Sequence, residues 1–402
     1  MTMRLGLRDW GQAELWAGLR GTSGLTSQAA NEAALTRWFS QGFGVPALMV
    51  NSGSSALQLA LQHLSDQTPG RNEVVLPALA CPALTRVIAA CGLQARYVDI
   101  APDLNTPVAI LAPSLGPSTL AVIMVHAYGH PADSVGISAL CQQHGVALID
   151  DAAQRVEPGS QLGTAGDFGI FSFAQSKSVV CGIDGSGGVL LVNSSRHLAA
   201  LEQRWRALPV ARKRHWPWLQ FLLTPDAPLA AYYISRWRQR GVALPVGPAR
   251  IAGIDAAIAL AQLDSLESRR ARRLDLLRHY GLALARFGIP APQLAVASNP
   301  DYLTRLMINV LPAQREHCRQ ALATHGIASR LPYRLPAVVD AKRFPQAALS
   351  AAGLLELPLS TRWSADYVTQ AASCVSEFCS ETPSHSNNYS GAPRATLLAT
   401  DP

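Results

Sequence analysis

Leu120-Ala-Val-Ile-Met-Val-His-Ala-Tyr-Gly129 and Val146-Ala-Leu-Ile-Asp150-Asp151 decide the fold class of this 402-residue chain. Each is a short, nearly unbroken apolar run, the pattern of a strand buried on both faces of a sheet. A helical interval, Val135 to His144, separates them. Upstream the same rhythm recurs: Glu73-Val-Val-Leu-Pro77, a helix over Pro82 to Cys91, then Ala95-Arg-Tyr-Val-Asp99. Strand and helix patterns in alternation predict an α/β fold with a mostly parallel central sheet. Ligands in such sheets collect beyond the carboxyl ends of the strands, where Asp150 and Asp151 fall. Taken alone, both acids read more readily as strand-end solvators or helix caps than as chemical groups.

Working outward toward the N-terminus, residues 1 to 50 are helical and amphipathic, with apolar sets at Leu15, Trp16 and Leu19 and at Leu35, Trp38 and Phe39. Ala47 to Val50 is a short strand, followed by the turn Asn51-Ser-Gly-Ser-Ser55 and a helix from near Ser54. Free N–H groups and the positive end of the helix dipole make Ser52, Gly53, Ser54 and Ser55 a candidate phosphate cradle, although serine there is also an ordinary cap. The GK[ST] of a Walker loop is absent. In the other direction, the strands Phe168 to Phe173 and Val189 to Val192 bracket Lys177 and the glycine turn Gly185-Ser-Gly-Gly188. A lone lysine in a polar loop is usually a solvated surface residue. Its company on the same rim as the acids and the serine turn makes it a chemical candidate.

Beyond residue 250 the pattern becomes α+β: helices over Ile254 to Ser268 and Arg269 to Ala285, a strand at Thr304 to Val310, and a helix at Ala313 to His325. Closing helices follow at Gln346 to Gly353 and Ala365 to Phe378. The expected division is a large α/β domain over 1–250 with an N-terminal helical segment, a small C-terminal α+β domain over 251–380, and a disordered polar tail over 381–402. No repeats are found. With 49% hydrophobic and 15% charged residues, the chain can bury a large core. No apolar run approaches the roughly 20 residues of a membrane helix, so the expected location is cytoplasmic. Seven cysteines without a CxxC pair predict reduced thiols and no metal site. The net charge of +7 is concentrated at Arg204, Arg206, Arg212, Lys213, Arg214, Arg236, Arg238 and Arg240, among Trp205, Trp216, Trp218 and Trp237. Such a segment is either a basic surface with inward aromatic anchors or a binding field for an acidic partner.

In order along the chain, Asn51-Ser-Gly-Ser-Ser-Ala-Leu57, Val125-His-Ala-Tyr-Gly129, Leu148-Ile-Asp-Asp-Ala-Ala-Gln154, Phe171-Ser-Phe-Ala-Gln-Ser-Lys177, Gly185-Ser-Gly-Gly188, Ala261-Gln-Leu-Asp-Ser-Leu266 and Leu357-Pro-Leu359 resemble the motifs of the DegT/DnrJ/StrS-like sugar aminotransferases. These belong to the fold-type I pyridoxal-phosphate (PLP) enzymes, and the resemblance runs from about residue 20 to 380. It implies pyridoxal 5′-phosphate as cofactor and gives roles position by position. Lys177 aligns with the lysine of the internal aldimine, acting in turn as nucleophile and general base. Asp151 aligns with the acid facing the pyridine nitrogen, where a carboxylate favours the pyridinium electron sink. Gln154 falls beside the ring hydroxyl, and Ser52, Gly53, Ser54, Ser55 and Ser172 at the phosphate. His126, Tyr128, Arg250, Arg330 and Tyr333 are candidate substrate contacts.

The sequence departs from the family pattern at four places. Cys81 takes the place of the aromatic that stacks on the ring. Pro248-Ala249-Arg250 stands where an asparagine reaches the partner subunit's phosphate, Ser186 replaces a glutamate, and Ala174 replaces a histidine. The expected function is amino transfer from an amino acid, glutamate or glutamine, to a keto group of a nucleotide-linked sugar, by a homodimer with shared active sites. Neither nucleic acid nor membrane is expected as a partner. Two alternatives stay open: a PLP enzyme acting on a non-sugar natural-product carbonyl, and a catalytically impaired relative acting as a regulator. Retention of Lys177, Asp151 and Gln154 together speaks against the regulator.

Overall fold

The computed structural model describes residues 10–22, 25–174, 177–181, 187–211, 247–289, 291, 305–357, 359, 361 and 363–378. The basic stretch from Arg212 to Arg240, Ser186 and the polar tail lie outside them.

Two helices come first, α1 (Gln12–Thr22) and α2 (Gln28–Phe43). Ser27 caps α2 by accepting from the Ala30 N–H at 3.0 Å, and Gly44 ends it in the left-handed conformation. The alternating part then runs β1 (Ala47–Val50), α3 (Gly53–Gln67), β2 (Glu73–Pro77), α4 (Pro82–Ala90), β3 (Gln94–Val98), α5 (Val108–Leu111), β4 (Thr119–Val125), α6 (Ser134–His144), β5 (Ala147–Asp151), β6 (Phe168–Ser172), β7 (Gly188–Val192) and α7 (Leu198–Ala207). The seven strands form one sheet in the order β1-β7-β6-β5-β4-β2-β3. Neighbours from β6 through β3 are parallel, and β7 runs antiparallel to both β6 and β1. This is the predicted α/β sheet.

Alternate residues feed opposite faces. Leu48 and Val50 join the core beneath α3, α4 and α7, whereas Ala47 and Met49 join the core with α2, Phe171 and Phe173. Because both faces are covered, the strands read as continuous apolar runs. The edge strand β3 is exposed or half-buried from Gln94 to Tyr97, which is why Gln94 and Arg96 alternate with Ala95 and Tyr97 there.

The C-terminal part contains α8 (Gly253–Asp264), α9 (Leu266–Arg286), β8 (Leu306–Asn309), α10 (Arg315–Thr324), α11 (Pro345–Gly353), β9 (Leu354–Leu357) and α12 (Ala365–Ser376). The first helix break comes at Ser265 rather than after Ser268. Ser265 leaves helical geometry at φ −106°, ψ 12°, and Arg269 turns back to donate to the carbonyls of Gln262 and Ser265. Helix α8 packs with α1 and α2 on the large sheet, while α9 packs with the antiparallel pair β8-β9, α10 and α12. The core therefore changes at Ser265. Strand β9 was not anticipated. A further apolar cluster joins Ala78, Leu79, Ala127 and Tyr128 of the large part to Met307, Ala347 and Leu354 of the small one. No described helix is long and apolar enough to cross a membrane. Six cysteines are free thiols, and Cys379 lies outside the described residues.

Candidate active site

The carboxyl ends of β2, β4, β5 and β6, the start of α3 and the loop at Lys177 share one rim, with the tyrosine and arginine side chains of the small part closing over it. At the serine turn, Ser52 is the N-cap of α3: its Oγ accepts from the Ser55 N–H at 3.1 Å and lies 2.9 Å from Ser55 Oγ. Ser55 is buried, while Gly53 and Ser54 are half-buried. At Gly53 a Cβ would lie 3.0 Å from the Cβ of Ser172, a tighter contact than side chains usually make. Gly188 is required, since its Cβ would come within 2.6 Å of the Gly53 nitrogen. These two close approaches set Ser172, at the end of β6, against the N-terminus of a 15-residue helix, a place suited to a phosphate dianion. Asn51 secures the neighbouring segment, donating to the Gly247 carbonyl at 3.3 Å and accepting from the Ala249 N–H at 3.2 Å.

The two acids at the end of β5 point to opposite faces of the sheet. Asp150 is fully buried; Oδ1 meets His126 Nε2 at 2.7 Å, and Oδ2 accepts from the N–H groups of Gly163 at 2.9 Å and Ala165 at 3.1 Å. His126 Nδ1 in turn accepts from the Ala132 N–H at 2.9 Å. With both ring nitrogens engaged and 1% exposure, His126 is a structural tie and not the substrate contact expected from sequence.

Asp151 has a different environment. Its Oδ1 accepts from the Ala153 N–H at 3.0 Å. Burial raises its pKa, and the opposing pull of the Lys177 ammonium lowers it. Burial likewise drives the Lys177 amine below its usual 10.5, against the pull of Cys81 and Asp151. Lys177, Asp151 and Cys81 thus act on one another. The segment bearing Lys177 is pinned on several sides: Ser178 N–H donates to the Gln154 carbonyl at 3.2 Å and Val156 N–H to Ser178 Oγ at 2.7 Å. Trp10 Nε1 donates to the Val180 carbonyl at 2.7 Å, and Val180 N–H donates to Gln262 Oε1 at 3.3 Å. Sequence reading missed Trp10, Ser178 and Gln262, because only tertiary contact reveals what they hold.

Gln154 donates from Nε2 to the Tyr333 hydroxyl at 2.7 Å, and its Oε1 is buried with no hydrogen-bond partner among the described residues. Tyr333 stacks on Tyr128 with centroids 5.4 Å apart and planes 15° from parallel. Its N–H donates to the Tyr128 hydroxyl at 3.2 Å. Tyr128 adopts a left-handed φ of 53°, uncommon for an aromatic residue, to make this pairing. Burial pushes its phenol up to about 12, so it stays neutral. Arg305 lies over both rings and is ion-paired with Glu356. Neither residue was anticipated, although an arginine next to one apolar strand and a glutamate inside another are the available signal. Arg330 pairs its backbone with Glu356 beside this cluster. Arg250 is engaged elsewhere: its guanidinium meets Glu32, with Nε 3.1 Å from Oε1, and lies over Trp205 at 4.5 Å. Its expected substrate role is therefore replaced by a structural one. Cys81 caps α4 without a side-chain hydrogen bond, and Ala174 N–H lies 3.4 Å from Ser172 Oγ.

This sheet order is the fold of the fold-type I aminotransferases. Solved structures share it: the aminotransferase TlmJ of Streptoalloteichus hindustanus superposes with a TM-score of 0.73 at 24% identity, covering 94% of this chain and 98% of that one. Helicobacter pylori PseC, an aminotransferase involved in the biosynthesis of pseudoaminic acid, gives 0.72 at 16% identity, covering 94% and 99%. The chain belongs to the DegT/DnrJ/EryC1/StrS aminotransferase family, which matches residues 22–376. A curated relative, the UDP-N-acetyl-3-dehydro-alpha-D-glucosamine 3-aminotransferase of Acidithiobacillus ferrooxidans, is 36% identical over 171 residues. That match spans 42% of this chain and 43% of the relative's length. The aminotransferases of this family are PLP enzymes.

Proposed function

We propose that this chain transfers an amino group from glutamate or glutamine to a keto group of a nucleotide-linked sugar, using pyridoxal 5′-phosphate. The observation that carries the reading is the electrostatic pairing of Lys177 with the buried Asp151 on the rim that also carries the start of α3. The residues fit the cofactor. The N–H groups of Gly53 and Ser54 and the hydroxyl of Ser172 suit its phosphate, while Ser52 holds the Ser55 N–H as the helix cap, and Asp151 suits its pyridine nitrogen. Gln154 has an amide oxygen in want of a partner; turned over, the same amide presents N–H₂ to a ring oxygen while Tyr333 donates to Oε1. When bound, the cofactor supplies an electron sink for a carbanion at the donor's α-carbon.

The protein's own part is proton handling and enclosure. A Lys177 amine depressed by burial is neutral nearer to physiological pH, able to take the proton from the donor's α-carbon and later return it. Burial raises the pKa of Asp151 against the opposing pull of Lys177, and as a carboxylate Asp151 would hold a proton on the ring nitrogen of the bound cofactor. Tyr333 and Arg305 of the small part pack against Tyr128 of the large part over the rim. The curated relative's activity on a UDP-sugar supports this substrate class. The decisive assay incubates the protein with PLP and glutamate, then adds a UDP-linked 3-keto sugar. Formation of the amino sugar, with borohydride fixing the cofactor on Lys177, is expected; no bound cofactor after reconstitution would sink the reading. We propose further that the active form is a homodimer; a fully active monomer by light scattering would refute this.

A further inference from the structure

Arg305 and Glu356 are 6% and 1% exposed; Arg305 immediately precedes β8 and Glu356 lies in β9. Nε of Arg305 lies 2.7 Å from Oε2 of Glu356. A buried ion pair gives little net stability over an apolar pair of the same shape, so stability alone does not account for this one. Its setting suggests a use. The guanidinium carbon is 5.0 Å from the ring centre of Tyr128 and 5.8 Å from that of Tyr333, so one cation lies against both members of the stack. Tyr128 comes from the large part, just beyond β4, and Tyr333 from the segment after Arg330, so the contact joins the two parts across the site. Tyr333 then reaches Gln154 through its hydroxyl, and Gln154 ends in the buried unpartnered oxygen. Each step of this chain is a direct contact, from a carboxylate in the small sheet to an amide at the rim of the large one.

We infer that Arg305, anchored by Glu356, is a positioning residue that fixes the Tyr128–Tyr333 stack and, through the Tyr333 hydroxyl, sets the side-chain amide of Gln154 toward the bound cofactor. The inference rests on the proposed PLP chemistry. Arginine is the suitable residue, because its flat face lies on two rings while its edge meets a carboxylate. Lysine keeps the charge but not the face. Arg305 also bears on Lys177, whose amine is lowered by burial and, to a smaller extent, by this cation.

The test is a double-mutant cycle read by PLP binding. Dissociation constants for PLP are measured by absorbance titration in the wild type, Arg305→Lys, Tyr333→Phe and the double variant, with the pH midpoint of the bound-PLP absorption band recorded for each. Each single change is expected to weaken PLP binding about tenfold and to move the midpoint in the same direction, with the double variant no weaker than about tenfold, since both act through one contact. Arg305→Lys retains the partner of Glu356 and is expected to melt near the wild-type temperature. Losses that multiply to about a hundredfold in the double variant, or an Arg305→Lys protein with unchanged affinity and midpoint, would overturn the inference. A wild type that binds no PLP sinks the proposed function and this inference together; one that binds PLP while the losses multiply sinks the inference alone.

Discussion

Asp150 and Asp151 are consecutive residues on one strand, yet one belongs to a closed region and the other to an open one. On the Asp150 side, three hydrogen bonds reach the carboxylate and both nitrogens of His126 are engaged. On the Asp151 side, one backbone N–H reaches the carboxylate, Lys177 carries a depressed pKa and Gln154 has an orphaned oxygen. Burial alone does not distinguish them. What differs is satisfaction: the first side spends its polar groups on each other to hold the loop at Gly163 and Ala165, and the second leaves more of them unspent, as the proposed cofactor site requires.

Substitutions sharpen or break this contrast. The largest effect is expected for Lys177→Ala, which should lower turnover by about 10⁴-fold while leaving urea stability of the cofactor-free protein near wild type. Comparable turnover in the variant would place the chemistry elsewhere. Asp150→Ala should do the reverse, destabilising the fold by about 3 kcal/mol in urea melts, because His126 and two N–H groups lose their partner. A loss below about 1 kcal/mol would mean the closed region is not the support it resembles. Asp151→Asn should keep stability within about 1 kcal/mol and reduce turnover by about 100-fold, since an amide cannot stabilise a ring-nitrogen proton as a carboxylate does. Cys81→Phe should tighten PLP by about 1 kcal/mol if the thiol stands where a ring would stack, readable as a roughly fivefold lower dissociation constant.

The smallest effect concerns pH. The Lys177 amine is depressed in the folded, cofactor-free protein, so between that lowered value and 10.5 the unfolded chain binds more protons than the folded one. Stability from this group accordingly rises with pH through that window. Lys177→Met should raise the melting temperature at neutral pH, with the gain shrinking toward pH 10.5. A gain independent of pH would show that the amine is not depressed.

Much of the site was legible because its residues lie at strand ends and at a helix start, where local pattern fixes position. The serine turn after β1 and the paired acids after Ile149 are of this kind, as is Cys81 after β2. His126 and Arg250 were misread because their residue types suit a substrate, while their true partners, Asp150 and Glu32, are 24 and 218 residues away in sequence. Arg305 and Glu356 were passed over because they sit at the edge of or inside short apolar strands, which gave no sign of the rings beside them.

The sequence by itself determined the α/β class, the family resemblance and the order in which the serine turn, the acids and the lysine arrive, because these depend on local periodicity and on motifs contiguous in the chain. Tertiary structure alone decided which of two adjacent carboxylates is spent on the fold, where the core changes at Ser265, and that an arginine of the small part lies against the tyrosines beside Gln154. Those outcomes depend on hydrogen-bond satisfaction and burial between distant segments, and no local pattern encodes them.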